Sequence, residues 1–317
     1  MEAPGYFMAV TECLTDHSPA HASTPTVAIV GPGAIGAVIA AALHEAGRSP
    51  GLYGRTARHS LEVIAGDERI VVPGPVRTDP DNVPGPADVV FLAVKATQID
   101  AAAPWLATLC GPDTVVCVLQ NGVEQIAMIS PYLSERTTVL PSVVWFPAQA
   151  EVDGSVRLRG EARLTLPKAP GAKRIVETLR GTRCTVELAT DFPSVAWRKL
   201  LQNTAAGLMA LTGRRSAMFS RRDVADLTRA YLHECLNVAR AEGARLGDQV
   251  PEEILTGFQS GPADMSTSIL TDRQAARPLE WDVRNGVISR LGRAHSIPTP
   301  IGDVVTTLLA ATSDGPG

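Results

Sequence analysis

A chain of 317 residues, 45% hydrophobic and 20% charged, has the composition of an ordinary globular protein and the length for two domains. Its net charge of -4 and pI near 5.9 supply no basic field of the kind that nucleic acid or an anionic membrane attracts, so neither is expected as a partner. Five cysteines, Cys13, Cys110, Cys117, Cys184 and Cys235, are odd in number, widely spaced and without a CxxC pair, which argues against a disulfide framework or a metal site and for a reducing, cytoplasmic setting.

Residues 1–24 lack both the basic start and the continuous apolar core of a signal peptide and read as a flexible extension, with Met8 an alternative start. The apolar run Thr26-Val27-Ala28-Ile29-Val30 then leads straight into Gly31-Pro32-Gly33-Ala34-Ile35-Gly36, a GxGxxG spacing. Strand before and helix after are what a dinucleotide-binding βαβ unit requires. Its first glycine permits the tight turn, the second lets a pyrophosphate approach the backbone, and the third lets the helix lie close to the sheet. A helix is predicted over Ala37–Ala46, with Gly47 as its C-cap and the phosphate on its N-terminus. The stretch Thr26–Leu43 is uncharged and approaches a membrane span in length, but Pro32, three glycines and the absence of any basic residue before Arg48 argue against that reading.

Gly51 to Arg55 reads as a second strand whose end selects the cofactor. An acidic residue there would hold a ribose 2′-OH, whereas Arg55 suits a 2′-phosphate, so NADP is favoured over NAD; otherwise Arg55 and Arg58 are solvated loop residues. Ala87–Val94 is a continuous apolar run, as in a parallel strand buried on both faces, and sets Lys95 at a carboxyl end where α/β ligands bind, with Gln98 opening the next helix. Thr114–Leu119 repeats the pattern and ends in Gln120-Asn121-Gly122, which could equally be a plain Asn-Gly turn. Strands are expected at Val139–Val144, Val156–Leu158, Arg163–Leu166 and Cys184–Leu188, with a hairpin around Asp153-Gly154-Ser155 and a helix over Ala172–Leu179. From Asp191 strand patterns give way to helical periods. The expected division is an NADP-binding Rossmann-type domain over 25–190 and an all-α domain over 191–313, with catalysis at their interface.

Of the 29 basic residues, 4 are lysines: Lys95, Lys168, Lys173 and Lys199. Arginine stays protonated, whereas a buried lysine can shift its pKa and pass a proton, so a lysine kept in an apolar helical segment points to chemistry. Lys199 and Asn203 lie four apart and project from one helix face; a surface lysine beside an amide is the bland alternative. Ser268 follows, and Pro278 is expected to start a helix with Glu280 in its first turn, where the dipole favours a carboxylate.

In order and spacing, Gly31 to Gly36, Val94-Lys95-Ala96-Thr97-Gln98, Leu119-Gln120-Asn121-Gly122, Trp197-Arg198-Lys199-Leu200 with Asn203, Ser268, and Glu280 with Asn285-Gly286 resemble the 2-dehydropantoate 2-reductase (ketopantoate reductase) family over about Thr26–Ala311. That resemblance implies an α/β Rossmann-type domain joined to a helical domain of the 6-phosphogluconate-dehydrogenase-like type. It implies NADPH-dependent reduction of a small 2-oxo acid, by a monomer or homodimer, in pantothenate and coenzyme A synthesis. Lys199 would be the general acid, Asn203 and Asn121 substrate ligands, Ser268 the holder of the substrate carboxylate, and Glu280 a partner of the substrate hydroxyl or of the lysine. Lys95 and Asn121 would lie where cofactor and substrate meet, with Gln98, Arg55 and Glu280 also on the cofactor side. One position departs: the family often has a second asparagine where Gly207 stands, so a substrate hydrogen bond is expected to be missing. A β-hydroxyacid dehydrogenase would share Lys-x-x-x-Asn but needs a Ser-Gly-Gly segment where Ser142-Val143-Val144 stands. A redox sensor that only bound NADP would need neither Lys199 nor Glu280.

Overall fold

The computed structural model describes residues 25–315, and the extension expected over 1–24 lies outside them. Its first part runs β1 (Val27–Val30), α1 (Ala34–Glu45), β2 (Gly51–Tyr53), β3 (Ser60–Ala65), β4 (Glu68–Pro73), β5 (Val76–Arg77), β6 (Val89–Leu92), α2 (Ile99–Leu109) and β7 (Val115–Val118). α3 (Gln125–Ile129), β8 (Thr138–Pro141), β9 (Val143–Val144), β10 (Ala148–Ala150), β11 (Val156–Leu158), β12 (Ala162–Pro167), α4 (Ala172–Thr178) and β13 (Cys184–Ala189) follow. The remainder is helical: α5 (Phe192–Thr212), α6 (Arg222–Ala241), α7 (Val250–Ser260), α8 (Ser268–Gln274), α9 (Val287–Ala294) and α10 (Pro300–Ser313).

The main sheet has the order β5-β2-β1-β6-β7-β8, and its neighbouring strands are parallel. β6 and β7 are buried at every position, which is why their sequences are unbroken apolar runs rather than alternating ones. The chain leaves β1 toward β2 on one side and returns through β6 on the other. That reversal opens a crevice outside the carboxyl ends of β1 and β6, where ligands of doubly wound sheets bind. α1 covers this edge with Gly36 to Leu43 fully buried, a row of mostly small side chains that lets helix and sheet approach. It starts at Ala34 rather than Ala37, because the Gly33 carbonyl already accepts the Ala37 N–H at 2.8 Å.

Two small sheets, β10-β11-β3-β4 and β13-β12-β9, flank the main one. The β3–β4 hairpin occupies the stretch between Arg58 and Ala87 where the sequence pattern yields no expectation; it turns at Gly66-Asp67 and buries Leu61, Val63, Ile70 and Val72 in the core that includes α1. The strand expected over Val139–Val144 is divided between two sheets. Its break is at Ser142, whose backbone N–H and hydroxyl both donate to the Val118 carbonyl, at 3.1 and 2.6 Å.

The helical domain has its own core, in which Leu201, Phe219, Tyr231, Leu236, Leu255 and Ile288 are sealed from solvent. α5 is its axis. Asp191 caps the helix by accepting from the Ser194 N–H, and Gly213 ends it at φ +69°, the left-handed conformation that favours glycine. Among the described residues no helix is long and apolar enough to cross a membrane.

Gly31 has φ +82°, and a Cβ there would stand 2.5 Å from Val94 Cγ1 and 2.8 Å from Val94 N. Gly31→Ala should therefore lower unfolding stability by about 1–3 kcal/mol, read from the urea midpoint; an unchanged midpoint would show that this turn tolerates a side chain.

Candidate active site

α5 packs against β9 and β12, so it carries its side chains from the helical domain to the sheet domain. Lys199 and Asn203 sit one turn apart on the face that meets the ends of β7 and β8, and there they share a narrow recess with Asn121, Gly122, Ser142 and Val143. The structure thus brings Lys199, Asn203 and Asn121 together, as the sequence implies. A roomier cavity of about 350 Å³ lies beyond Trp145 and is lined by Arg163, Glu187 and Arg198. Both of its arginines are already paired, Arg163 with Glu187 and Arg198 with Glu253, which leaves neither cation free for an anionic ligand.

Lys199 has no carboxylate partner among the described residues. Its Nζ instead lies 5.1 Å from the centroid of the Trp145 ring, a contact that holds an ammonium without accepting a proton. Trp145 is fixed by its Nε1–H, which donates to Thr165 Oγ1 at 2.8 Å, and by the Arg163 guanidinium over the ring. Burial, and then the positive charge of Arg284, push the Lys199 amine down from 10.5 to about 8. A lysine so placed is protonated at neutral pH yet acidic enough to give the proton up.

A chain of hydrogen bonds crosses the seam between the domains. Asn203 Nδ2 donates to Asn121 Oδ1 at 3.2 Å, and Asn121 Nδ2 donates to Glu280 Oε2 at 3.2 Å. Glu280 Oε1 accepts the Ala96 N–H at 3.1 Å from the loop after β6, while Arg284 Nη2 donates to Glu280 Oε2 at 3.1 Å and to Ser268 Oγ at 2.9 Å. Glu280 is 5% exposed and Arg284 2%. Burial alone would raise the Glu280 pKa, but Arg284, the Ala96 N–H and Lys95 outweigh it and leave the carboxyl below its ordinary value, hence ionised at neutral pH.

Glu280 does not lie in the first turn of a helix begun by Pro278. The Leu279 N–H is taken by Ser313 Oγ at 3.0 Å, residues 278–280 are non-helical, and a π-helical turn, Asp282–Gly286, leads into α9. The carboxylate is held by named donors rather than by a helix dipole. Lys95, just after β6, also has a carboxylate partner that the sequence does not name. Its Nζ is 2.5 Å from Asp272 Oδ2, and Arg277 Nε is 2.9 Å from the other oxygen, so Lys95 ties the domains together at the edge of the cleft. Gln98 Oε1 accepts the Lys95 N–H at 3.3 Å and shapes the same loop. Ser268 begins α8, exposed to solvent.

The glycine turn fits a dinucleotide. Gly33 is the N-cap of α1 with no side chain capping it, and a Cβ there would meet nothing within 4 Å, so the first-turn N–H groups face open space suited to a phosphate. The Gly31 N–H donates to the Tyr53 carbonyl at 2.8 Å, which holds the end of β2, and with it exposed Arg55, beside the turn. Gly207 leaves no hole. A Cβ there would stand 2.7 Å from Asn285 Nδ2, because Asn285 fills that volume and donates to the Thr204 carbonyl and the Tyr231 hydroxyl. Arg284, Trp145 and Asp272 were not legible as site residues. For Arg284 a signal existed, since it stands four residues after Glu280 in helical context.

A family model described as ketopantoate reductase PanE/ApbA matches residues 27–171, and its C-terminal counterpart matches 191–313. The chain belongs to this family. It is 56% identical to a 2-dehydropantoate 2-reductase of Mycobacterium tuberculosis (strain H37Rv), over 92% of this chain and 99% of that protein. It is 33% identical to that of Caulobacter vibrioides, over 91% and 99%. A dimeric ketopantoate reductase from Staphylococcus aureus superposes with a TM-score of 0.84 at 28% identity, over 92% of this chain and 100% of that one. The ketopantoate reductase fold therefore spans both domains and the seam that holds the site.

Removing one member of a buried ion pair strands the other charge. Glu280→Leu should lower unfolding stability by about 3 kcal/mol or more, and Glu280→Leu with Arg284→Leu should recover much of that loss. Denaturant titration checks both; a single variant as stable as the parent would show that Arg284 finds other compensation.

Proposed function

We propose that the chain reduces 2-dehydropantoate to pantoate with NADPH, with Lys199 as the general acid. The observation that carries this reading is a partly buried amine of lowered pKa, set in a recess between the two domains together with two asparagine amides. The bound nicotinamide supplies a hydride to the ketone carbon. As negative charge grows on the carbonyl oxygen, Lys199 Nζ donates its proton there, a contribution of about 10² to 10⁴ in rate, or about 3 to 5 kcal/mol. Asn203 and Asn121 orient the substrate, and Glu280, kept ionised by Arg284, fixes the Asn121 amide. Closure of the seam excludes water from the recess. The family uses a nicotinamide dinucleotide, and Arg55 at the end of β2 supports NADPH over NADH. We place the enzyme in the cytoplasm as a monomer or homodimer, in keeping with the free thiols of Cys110, Cys117, Cys184 and Cys235.

NADPH oxidation with a panel of 2-oxo acids tests the assignment: 2-dehydropantoate should be the preferred substrate, and a strong preference for another branched or aromatic 2-oxo acid would overturn it. Lys199→Ala should lose about 10²-fold or more in kcat, and Lys199→Arg should not restore it, since guanidinium is too weak an acid. In the parent enzyme the protonated amine is the active form, so kcat/KM should be level at neutral pH and fall tenfold per unit above about 8. A flat profile through pH 9 ~ 10, or an active Arg variant, would remove Lys199 from the role. Arg55→Ala should raise KM for NADPH by about tenfold or more while leaving KM for NADH nearly unchanged; equal effects would defeat the 2′-phosphate reading.

A further inference from the structure

Lys199 is carried by α5 in the helical domain, yet what holds its ammonium belongs to the other domain. Trp145 stands just after β9, with its backbone N–H on the Arg163 carbonyl at 2.9 Å and its Nε1–H on Thr165 Oγ1 at 2.8 Å. Two bonds to β12 therefore fix this residue at its backbone and at its ring, and Thr165 is itself buried. The Lys199 Nζ lies 5.1 Å from the ring centroid, and among the described residues no oxygen accepts a hydrogen bond from it. A lysine stem has four rotatable bonds, so an ammonium without an acceptor needs some other contact to select one arrangement. The neighbouring charges do not supply it. Arg163 on β12 is paired with Glu187, Arg198 on α5 with Glu253 of α7, and Glu280 with Arg284. Arg284 is the charge that bears on the Lys199 amine, and it repels.

We propose that Trp145 is a positioning residue for the reduction: its ring, fixed to β12, holds the Lys199 ammonium at the recess with the N–H groups left unshared for the substrate oxygen. This rests on the reading that Lys199 is the general acid. A carboxylate in the same place would hold the amine as firmly, but it would favour the charged form and compete with the ketone for the proton. A ring attracts the cation through its quadrupole and takes no proton. Because ring and amine come from different domains, the amine is in register only when α5 is seated against β9 and β12, the strands it packs on.

The test weakens the ring while nearly preserving its size: mono-, di- and trifluorinated tryptophan placed at position 145 alone, in the full chain. With 4 lysines in the sequence, lysine labelled at Cε gives few NMR signals, and Lys199→Arg shows which one belongs to Lys199. The pKa of that amine should fall with each added fluorine, by about half a unit to one unit over the series, because the charged form loses its support. A flat series, or a rise, would overturn the proposal and leave Trp145 as a wall of the site. The alkaline limb of kcat/KM should move down together with the NMR titration. A titration that moves while the limb stays would overturn the general-acid reading, and with it any part of Trp145 in the reaction, although the contact itself would stand. Trp145→Leu gives a second measurement: at a pH below the limb, kcat should fall about tenfold or more while KM for NADPH changes little. An unchanged kcat, or equal damage to both constants, would count against positioning and overturn it. Should Trp145→Leu fail to fold by circular dichroism, the fluorinated series decides alone.

Discussion

An ionised carboxylate buried on a domain seam is the constraint around which the rest is arranged. Taking a charge out of water costs several kcal/mol unless donors replace the lost hydration, and Glu280 finds its donors in three separate parts of the chain: Ala96 after β6, Asn121 after β7, and Arg284 one turn further along its own segment. The first two of these cannot be satisfied unless the helical domain is seated on the carboxyl ends of the sheet. The same contact passes on to Asn203 through the Asn121 amide, so the face of α5 that carries Lys199 is registered against β7 by the group that most needs the seam closed.

The pairing pattern matters as much as the pairing. Had Glu280 faced Lys199 directly, the attraction would have favoured the ammonium and raised its pKa, making it a poorer acid. Instead Arg284 takes up the carboxylate, and Lys199 is left with the Trp145 ring, which stabilises a cation without competing for its proton. Arg284 then acts on Lys199 by simple repulsion, in the same direction as burial. One arginine thus helps both to keep an acid group ionised and to keep an amine acidic at a single seam.

The Rossmann-type sheet was legible because its signals are local and strong: apolar runs buried on both faces, each ending in a polar residue, and glycines whose spacing matches a turn of fixed geometry. Lys199 with Asn203 was legible through helical spacing. What escaped was set by contacts distant in sequence. The break at Ser142 depends on a carbonyl of β7, and the position of Glu280 depends on Ser313 at the end of α10, which takes the backbone donor that a helix starting at Pro278 would have used. Gly207 shows the same limit from the other side. Read alone it is a missing amide, but in the fold it is the space that Asn285 requires.

The near-absence of lysine sharpens the assignment of those that remain. With 29 basic residues of which 4 are lysines, arginine supplies nearly all of the chain's positive charge. Two of the four sit at this seam. Lys95 brings a compact ammonium to a buried carboxylate that Arg277 already engages from its other oxygen. In the role we propose, Lys199 needs a charge that can be surrendered. A guanidinium stays protonated in any pocket a protein can build, so in the proton-donating role we propose for this position, arginine is excluded by its chemistry rather than by its size.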